Sequence, residues 1–170
     1  KDLIILVSSL ERQTLQPAEI IISDSSEDSH IKDFIDSYSG KLNLIYLKND
    51  RRFPGEKRNE GAKITKNDLI AFLDVATIPR PNWLEDSFAK ILEGYDVVFG
   101  KTKYNQLNQT QALLRASTYG RVGHESSPGS LIRKDKFLLS GGFIENVRAG
   151  DDLDWRQEMR SLNFKCFTPN

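Results

Sequence analysis

Four groups of side chains in this 170-residue sequence have the types and spacing to do chemistry. Asp24 closes the run Glu19-Ile20-Ile21-Ile22-Ser23 and is followed by Ser25-Ser26. A carboxylate at a strand end can accept hydrogen bonds from a nucleobase or a ribose hydroxyl. The same aspartate can equally form an Asx turn or cap the next helix. Asp74 follows the apolar run Leu69-Ile70-Ala71-Phe72-Leu73, where a carboxylate is costly unless it is solvated, ion-paired or bound to a metal. Arg51, Arg52, Lys57 and Arg58 gather around Phe53-Pro54-Gly55. Beside a helix N-terminus such a cluster can neutralise a pyrophosphate, and Arg58 is the chosen contact; a solvated basic loop is the plainer alternative. Asp151 and Asp152 begin a segment whose apolar face carries Trp155, Met159 and Leu162. On a helix Asp152 falls within about 20° of Met159. It is therefore expected to point inward, where a carboxylate at a cleft edge can take a proton from a hydroxyl. Asp151 and Asp154, about 100° and 200° round from Asp152, are expected to point elsewhere.

These groups need elements to hold them. Short β-branched or apolar runs predict strands near 19–23, 42–47, 69–73 and 95–99, and helical spacing predicts helices over 31–38, 59–66, 83–92 and 106–119. Alternating strands and helices imply one α/β domain over 1–170, with a mostly parallel sheet flanked by helices. Ligands of such sheets sit beyond the carboxyl ends of the strands, so Asp24 and Asp74 are expected at one edge. Residues 3–7 (LIILV) read either as a buried parallel strand or as an unusually apolar helix. As a strand they lie too close to the next one, because a parallel crossover needs about a dozen residues. A segment missing near residues 8–10 is the favoured reading, with a chain incomplete at both ends.

Composition narrows the function classes. Lys plus Arg and Asp plus Glu both count 24, so no net field favours nucleic acid or an anionic membrane. No apolar run approaches the roughly 20 residues of a membrane span. One cysteine, Cys166, excludes an internal disulfide and fits a reducing compartment. Two histidines, His30 and His124, do not make a zinc site without several carboxylates, so a metal here would be a hard, oxygen-bound cation.

Taken in order, the segments Ser9-Leu10-Glu11-Arg12-Gln13-Thr14-Leu15-Gln16-Pro17 with Glu19-Ile20-Ile21-Ile22-Ser23-Asp24, then Arg58-Asn59-Glu60-Gly61-Ala62, Phe72-Leu73-Asp74-Val75-Ala76-Thr77-Ile78-Pro79 with Trp83-Leu84-Glu85, Gly141-Gly142-Phe143-Ile144-Glu145 and Gly150-Asp151-Asp152-Leu153-Asp154-Trp155 resemble the family 2 glycosyltransferases of GT-A fold. The resemblance implies an inverting enzyme that moves a sugar from a nucleoside diphosphate sugar, UDP-sugars favoured, to a carbohydrate or lipid-linked acceptor. Polysaccharide or glycoconjugate synthesis is the expected setting, in the cytoplasm or peripherally at the cytoplasmic face of a membrane. Asp24 would bind the uracil or ribose with Arg58 nearby, Asp74 would help hold Mn²⁺ or Mg²⁺, and Asp152 would be the general base. The family's second metal-site acid is replaced by Ala76, which weakens the expected metal site. Two other readings stand beside this one: a catalytically silent GT-A domain marked by Ala76, and a sugar nucleotidyltransferase, whose glycine-rich phosphate loop the sequence lacks.

Overall fold

The computed structural model describes residues 1–103, 109–111, 113 and 123–169. In chain order its elements are α1 (Asp2–Glu11), β1 (Ile20–Asp24), α2 (His30–Ser37), β2 (Leu44–Lys48), α3 (Pro54–Ile64), β3 (Leu69–Phe72), α4 (Trp83–Leu92), β4 (Val97–Thr102), β5 (His124–Arg133), α5 (Lys134–Leu139), α6 (Asp151–Ser161) and β6 (Cys166–Phe167). The α/β class expected from the sequence is thus present. The helix expected over 106–119 falls largely outside the described residues.

The N-terminal reading is corrected. Of the two readings, the apolar helix holds and the favoured one gives way: residues 8–10 lie inside a continuous helix. Leu6, Val7 and Leu10 are buried while Ile4 and Ile5 are exposed. With Leu3, which packs against them, they form an i, i+3, i+4, i+7 stripe that a five-residue apolar run is too short to reveal. Gln13, just past α1, is buried; its amide donates to the Arg80 carbonyl at 2.7 Å and accepts from the Leu84 N–H at 3.1 Å. That side chain satisfies one of the unpaired N–H groups at the start of α4.

Strand pairing also departs from expectation. The hydrogen bonds form two ladders: parallel β1-β2, and a four-stranded sheet in the order β3-β5-β4-β6. β5 runs antiparallel to both β3 and β4, whereas β6 is parallel to β4. One mostly parallel sheet is therefore replaced by a parallel pair and a mixed sheet. The inserted strand, β5, escaped the sequence because its first half is polar and carries Pro128 and Gly129, residues that read as breakers. The register shifts between Val98 and Gly100, where a Cβ on Gly100 would lie 2.0 Å from the Pro128 carbonyl oxygen. Only glycine permits that approach.

The main core joins the mixed sheet to α3, α5 and α6 through Ala62, Ile70, Phe72, Val97, Phe99, Ile132, Phe137, Phe143, Trp155 and Met159. Trp155 stacks on Phe143 at 4.9 Å between centroids and meets Phe72 and Phe99 edge-on at 5.8 Å. Cys166 packs against this core, and burial pushes its thiol up to about 11. The Trp155 indole N–H has no hydrogen-bond partner among the described residues, and its ring contributes by packing. Trp155→Ala should lower unfolding free energy by about 3–5 kcal/mol, and Trp155→Phe by roughly 1–2 kcal/mol, because most of the ring volume is kept. Urea denaturation of the three proteins measures both losses.

Candidate active site

α3 carries the centre of the site. Pro54 occupies its first turn, a favoured place because no N–H is required there. Glu56 reaches back to accept from the Phe53 and Arg52 N–H groups, both at 3.1 Å, and from the Asn146 N–H at 3.0 Å. These backbone donors, Phe53 foremost, hold its carboxyl below the usual range despite burial. The helix begins at Pro54 rather than at Asn59 as expected, because Glu56 and Pro54 supply a start signal inside what reads as a basic loop.

Arg58 lies three residues after the buried Gly55 and four before the buried Ala62, on the inner stripe of α3. Its guanidinium donates from Nη2 to Asp74 Oδ1 and from Nη1 to Asp151 Oδ2, each at 2.7 Å, and lies over the Phe143 ring at 5.1 Å. Arg58 and Asp151 expose only 13% and 9% of their side chains, against 50% for Asp74. The next residue, Asn59, pairs with the Phe143 backbone in both directions, its amide donating at 2.8 Å and accepting at 2.9 Å. Gly55 allows this closeness: a Cβ there would lie 2.9 Å from the Ile144 carbonyl oxygen and 3.4 Å from Asp151 Cβ.

The expectation that Asp151 would point away from the core is corrected, since it is buried and paired with Arg58. Measured against the mean direction of Trp155, Met159 and Leu162 rather than Met159 alone, Asp151 and Asp152 flank the apolar stripe at about 50° on either side. Asp152 occupies the other flank, one-third exposed. Its Oδ1 accepts from the Ser127 N–H at 2.6 Å and from Arg156 Nε at 3.1 Å. Arg156 in turn donates to Glu125 at 2.9 Å, and Arg160 to the same carboxylate at 2.7 Å. Burial would push the Glu125 carboxyl up, but Arg160, Thr168 and Arg156 together hold it below its ordinary value.

Asp24 shares no hydrogen bond or ion pair with this group among the described residues. Its buried carboxylate accepts from the Ser26 N–H at 2.9 Å and hydroxyl at 2.7 Å, and from the Tyr46 hydroxyl at 3.0 Å. The first of these bonds is the Asx turn weighed above. Desolvation opposes ionisation, yet these donors hold Asp24 below the usual carboxylate range. Of the basic cluster, Arg51 is spent on Glu60 at 3.1 Å and Arg58 on two aspartates. Arg52, Phe53, Pro54 and Arg148 line an open groove of about 460 Å³. Sequence reasoning missed Glu56, Asn59, Ser127, Glu125 and Arg156. Asn59 left a signal as the neighbour of Arg58 in the Arg-Asn pair, and Glu56 left one as the third residue of a helix opened by Pro54.

The protein's own donor set is thin for a divalent cation resident without ligand. Mg²⁺ or Mn²⁺ takes about six oxygens, commonly one or two carboxylates completed by waters and substrate phosphates. Asp74 offers one carboxylate with an oxygen already on Arg58, and Ala76 offers none. Among the described residues no group of three or more His, Cys, Asp or Glu side chains converges as a metal site.

The glycosyl transferase family 2 profile matches residues 1–146, and the chain belongs to that family. Hyaluronan synthase of Pasteurella multocida is 31% identical over 161 residues, covering 91% of the chain but 15% of the synthase. S. aureus TarS 1–349 in complex with UDP-GlcNAc superposes with a TM-score of 0.74 at 20% identity, covering 98% of this chain and 52% of TarS. The mannosyltransferase PcManGT from Pyrobaculum calidifontis, in complex with GDP-Man and Mn²⁺, gives 0.70 at 14% identity over 99% of the chain and 50% of its own. These superpositions establish the GT-A fold, and the chain spans about half or less of each of the three proteins.

Two outcomes test this geometry. Arg58→Gln leaves Asp151 buried without its cation and should cost about 3–5 kcal/mol; the exposed Asp74 pair adds little. The double variant Arg58→Gln, Asp151→Asn should recover much of that loss in a thermodynamic cycle. For Asp24 the lowered carboxyl contributes stability that is present above the unfolded-state pKa of about 4 and is lost as pH falls through the lower folded-state value. Asp24→Asn should therefore flatten the acid limb of a stability–pH curve below about pH 4, and an unchanged limb would show that Asp24 contributes nothing to it.

Proposed function

We propose that this chain transfers a sugar from a nucleoside diphosphate sugar to an acceptor hydroxyl with inversion, Asp152 taking the hydroxyl proton. The observation that carries this reading is the way Asp152 is held. Two N–H donors fix Oδ1, and Oδ2 has no hydrogen bond among the described residues, on a side chain one-third exposed. A carboxylate oriented by one oxygen and open at the other is suited to accept a proton from an incoming hydroxyl. The deprotonated oxygen would attack the anomeric carbon from the face opposite the diphosphate, which leaves with the bond electrons and inverts the centre. Asp151, buried on Arg58, would position the start of α6.

On this reading the nucleoside lies beyond the end of β1. Asp24 exchanges a Ser26 or Tyr46 hydroxyl for a uracil or ribose donor, and the diphosphate lies beside Arg58 and Asp74. UDP-sugars are favoured because TarS is seen with UDP-GlcNAc. The relationship to a hyaluronan synthase supports a carbohydrate or lipid-linked acceptor and a role in polysaccharide or glycoconjugate synthesis. We place the reaction in the cytoplasm, including the cytoplasmic face of a membrane reached peripherally; no helix among the described residues is long and apolar enough to cross one. A second reading, a silent GT-A domain that binds a nucleotide sugar or a partner, is favoured by Ala76 alone.

An assay of UDP release from a panel of UDP-sugars with oligosaccharide acceptors decides between the two. Turnover supports transfer, and binding without turnover supports the silent domain. Asp152→Asn should lower turnover by roughly 10²–10⁴-fold with UDP affinity nearly unchanged. Equal rates for the variant and the wild type would remove Asp152 from the mechanism.

A further inference from the structure

The charge arrangement around Asp74 differs from what a metal-dependent site requires. Ala76 removes one acid, and the one that remains shares an oxygen with Arg58 at 2.7 Å. A second acid, Asp151, is bonded to the same guanidinium at 2.7 Å and is nearly buried. A single cation thus already stands between two carboxylates. A divalent ion placed on Asp74 would have to displace that guanidinium, which strands the nearly buried Asp151, or bind through the other Asp74 oxygen alone, with Ala76 offering no second carboxylate.

We infer that this site binds the nucleoside diphosphate without a resident divalent cation, the Arg58 guanidinium, held between Asp74 and Asp151, presenting its remaining N–H donors to the phosphate oxygens. The inference rests on the nucleotide-sugar reading above. An arginine is charged at every accessible pH and presents five N–H donors in a rigid fork. Two of these are spent on the aspartates, which leaves donors for phosphate oxygens. The ion pairs also fix the fork before the ligand arrives, so the donors need little reorganisation when charge develops on the leaving diphosphate.

Calorimetric titration of UDP into the protein, once with EDTA and once with excess Mn²⁺, tests this directly. Affinities agreeing within about twofold support the inference, and tightening by about tenfold or more with Mn²⁺ overturns it. No UDP binding under either condition overturns the nucleotide reading itself, and the inference with it. Two variants examine the two halves of the claim. Ala76 is exposed, so Ala76→Asp restores the second acid on a tolerant loop and should make UDP binding tighten about tenfold with Mn²⁺; indifference of this variant to Mn²⁺ counts against the inference. Arg58→Lys keeps a charge but replaces the fork by a single ammonium, and should weaken UDP about tenfold with or without Mn²⁺. Unchanged affinity in Arg58→Lys would remove the guanidinium from the site.

Discussion

A nearly buried guanidinium with two carboxylate partners is the constraint around which the rest of the site is arranged. Arg58 projects from the inner stripe of α3 and ties together the end of β3, through Asp74, and the start of α6, through Asp151. Taking a charge out of water is costly unless its hydrogen bonds are met. Each neighbouring feature meets part of that demand. Gly55 lets α3 approach the loop at 143–144, Asn59 locks that loop by pairing with the Phe143 backbone, and the Phe143 ring lies beneath the cation. Phe143 also stacks on Trp155, so the polar clamp and the aromatic core brace each other.

On the other flank of α6 the arrangement has a different character. Asp152 is one-third exposed, and its neighbours among the described residues hold it by one oxygen. Ser127 on β5 and Arg156 one turn along α6 fix one oxygen. Glu125, also on β5, anchors Arg156 and Arg160, and the Thr168 hydroxyl donates to Glu125. The strand that crosses the sheet antiparallel thus supplies both the backbone donor and the countercharge. Adjacent aspartates take different roles because successive helical positions are about 100° apart: one side chain is drawn into the clamp and its neighbour is left at the rim.

Much of this was legible in the sequence, and the exceptions have physical causes. β1, β2, β3 and β4 and helices α2 and α4 followed from β-branched runs and helical spacing, and family membership followed from five short segments in order. α1 was left open between strand and helix, with the wrong alternative favoured, because five consecutive apolar residues carry no period. β5 was invisible because Pro128 and Gly129 stand at a bulge where only Gly100 lets the strands meet. Asp24, Arg58, Asp74 and Asp152 were all picked out as site candidates. The structure unites Arg58 and Asp74, adds Asp151, and sets Asp24 in its own hydrogen-bonded turn. Of the residues that were missed, Ser127, Glu125 and Arg156 act through contacts distant in sequence or through backbone N–H groups, which no local pattern encodes, whereas Glu56 and Asn59 had local signals that were not followed.

The central claim is that two groups with separate hydrogen-bond partners, the Asp24 turn and the Arg58 clamp, serve the two ends of one nucleotide. A crystal structure of the chain with UDP bound measures this most directly. The account predicts uracil or ribose within hydrogen-bonding distance of Asp24, roughly 2.7–3.2 Å, and the diphosphate beside Arg58. A nucleotide that touches neither group, or whose base lies at the Arg58 clamp, would contradict it.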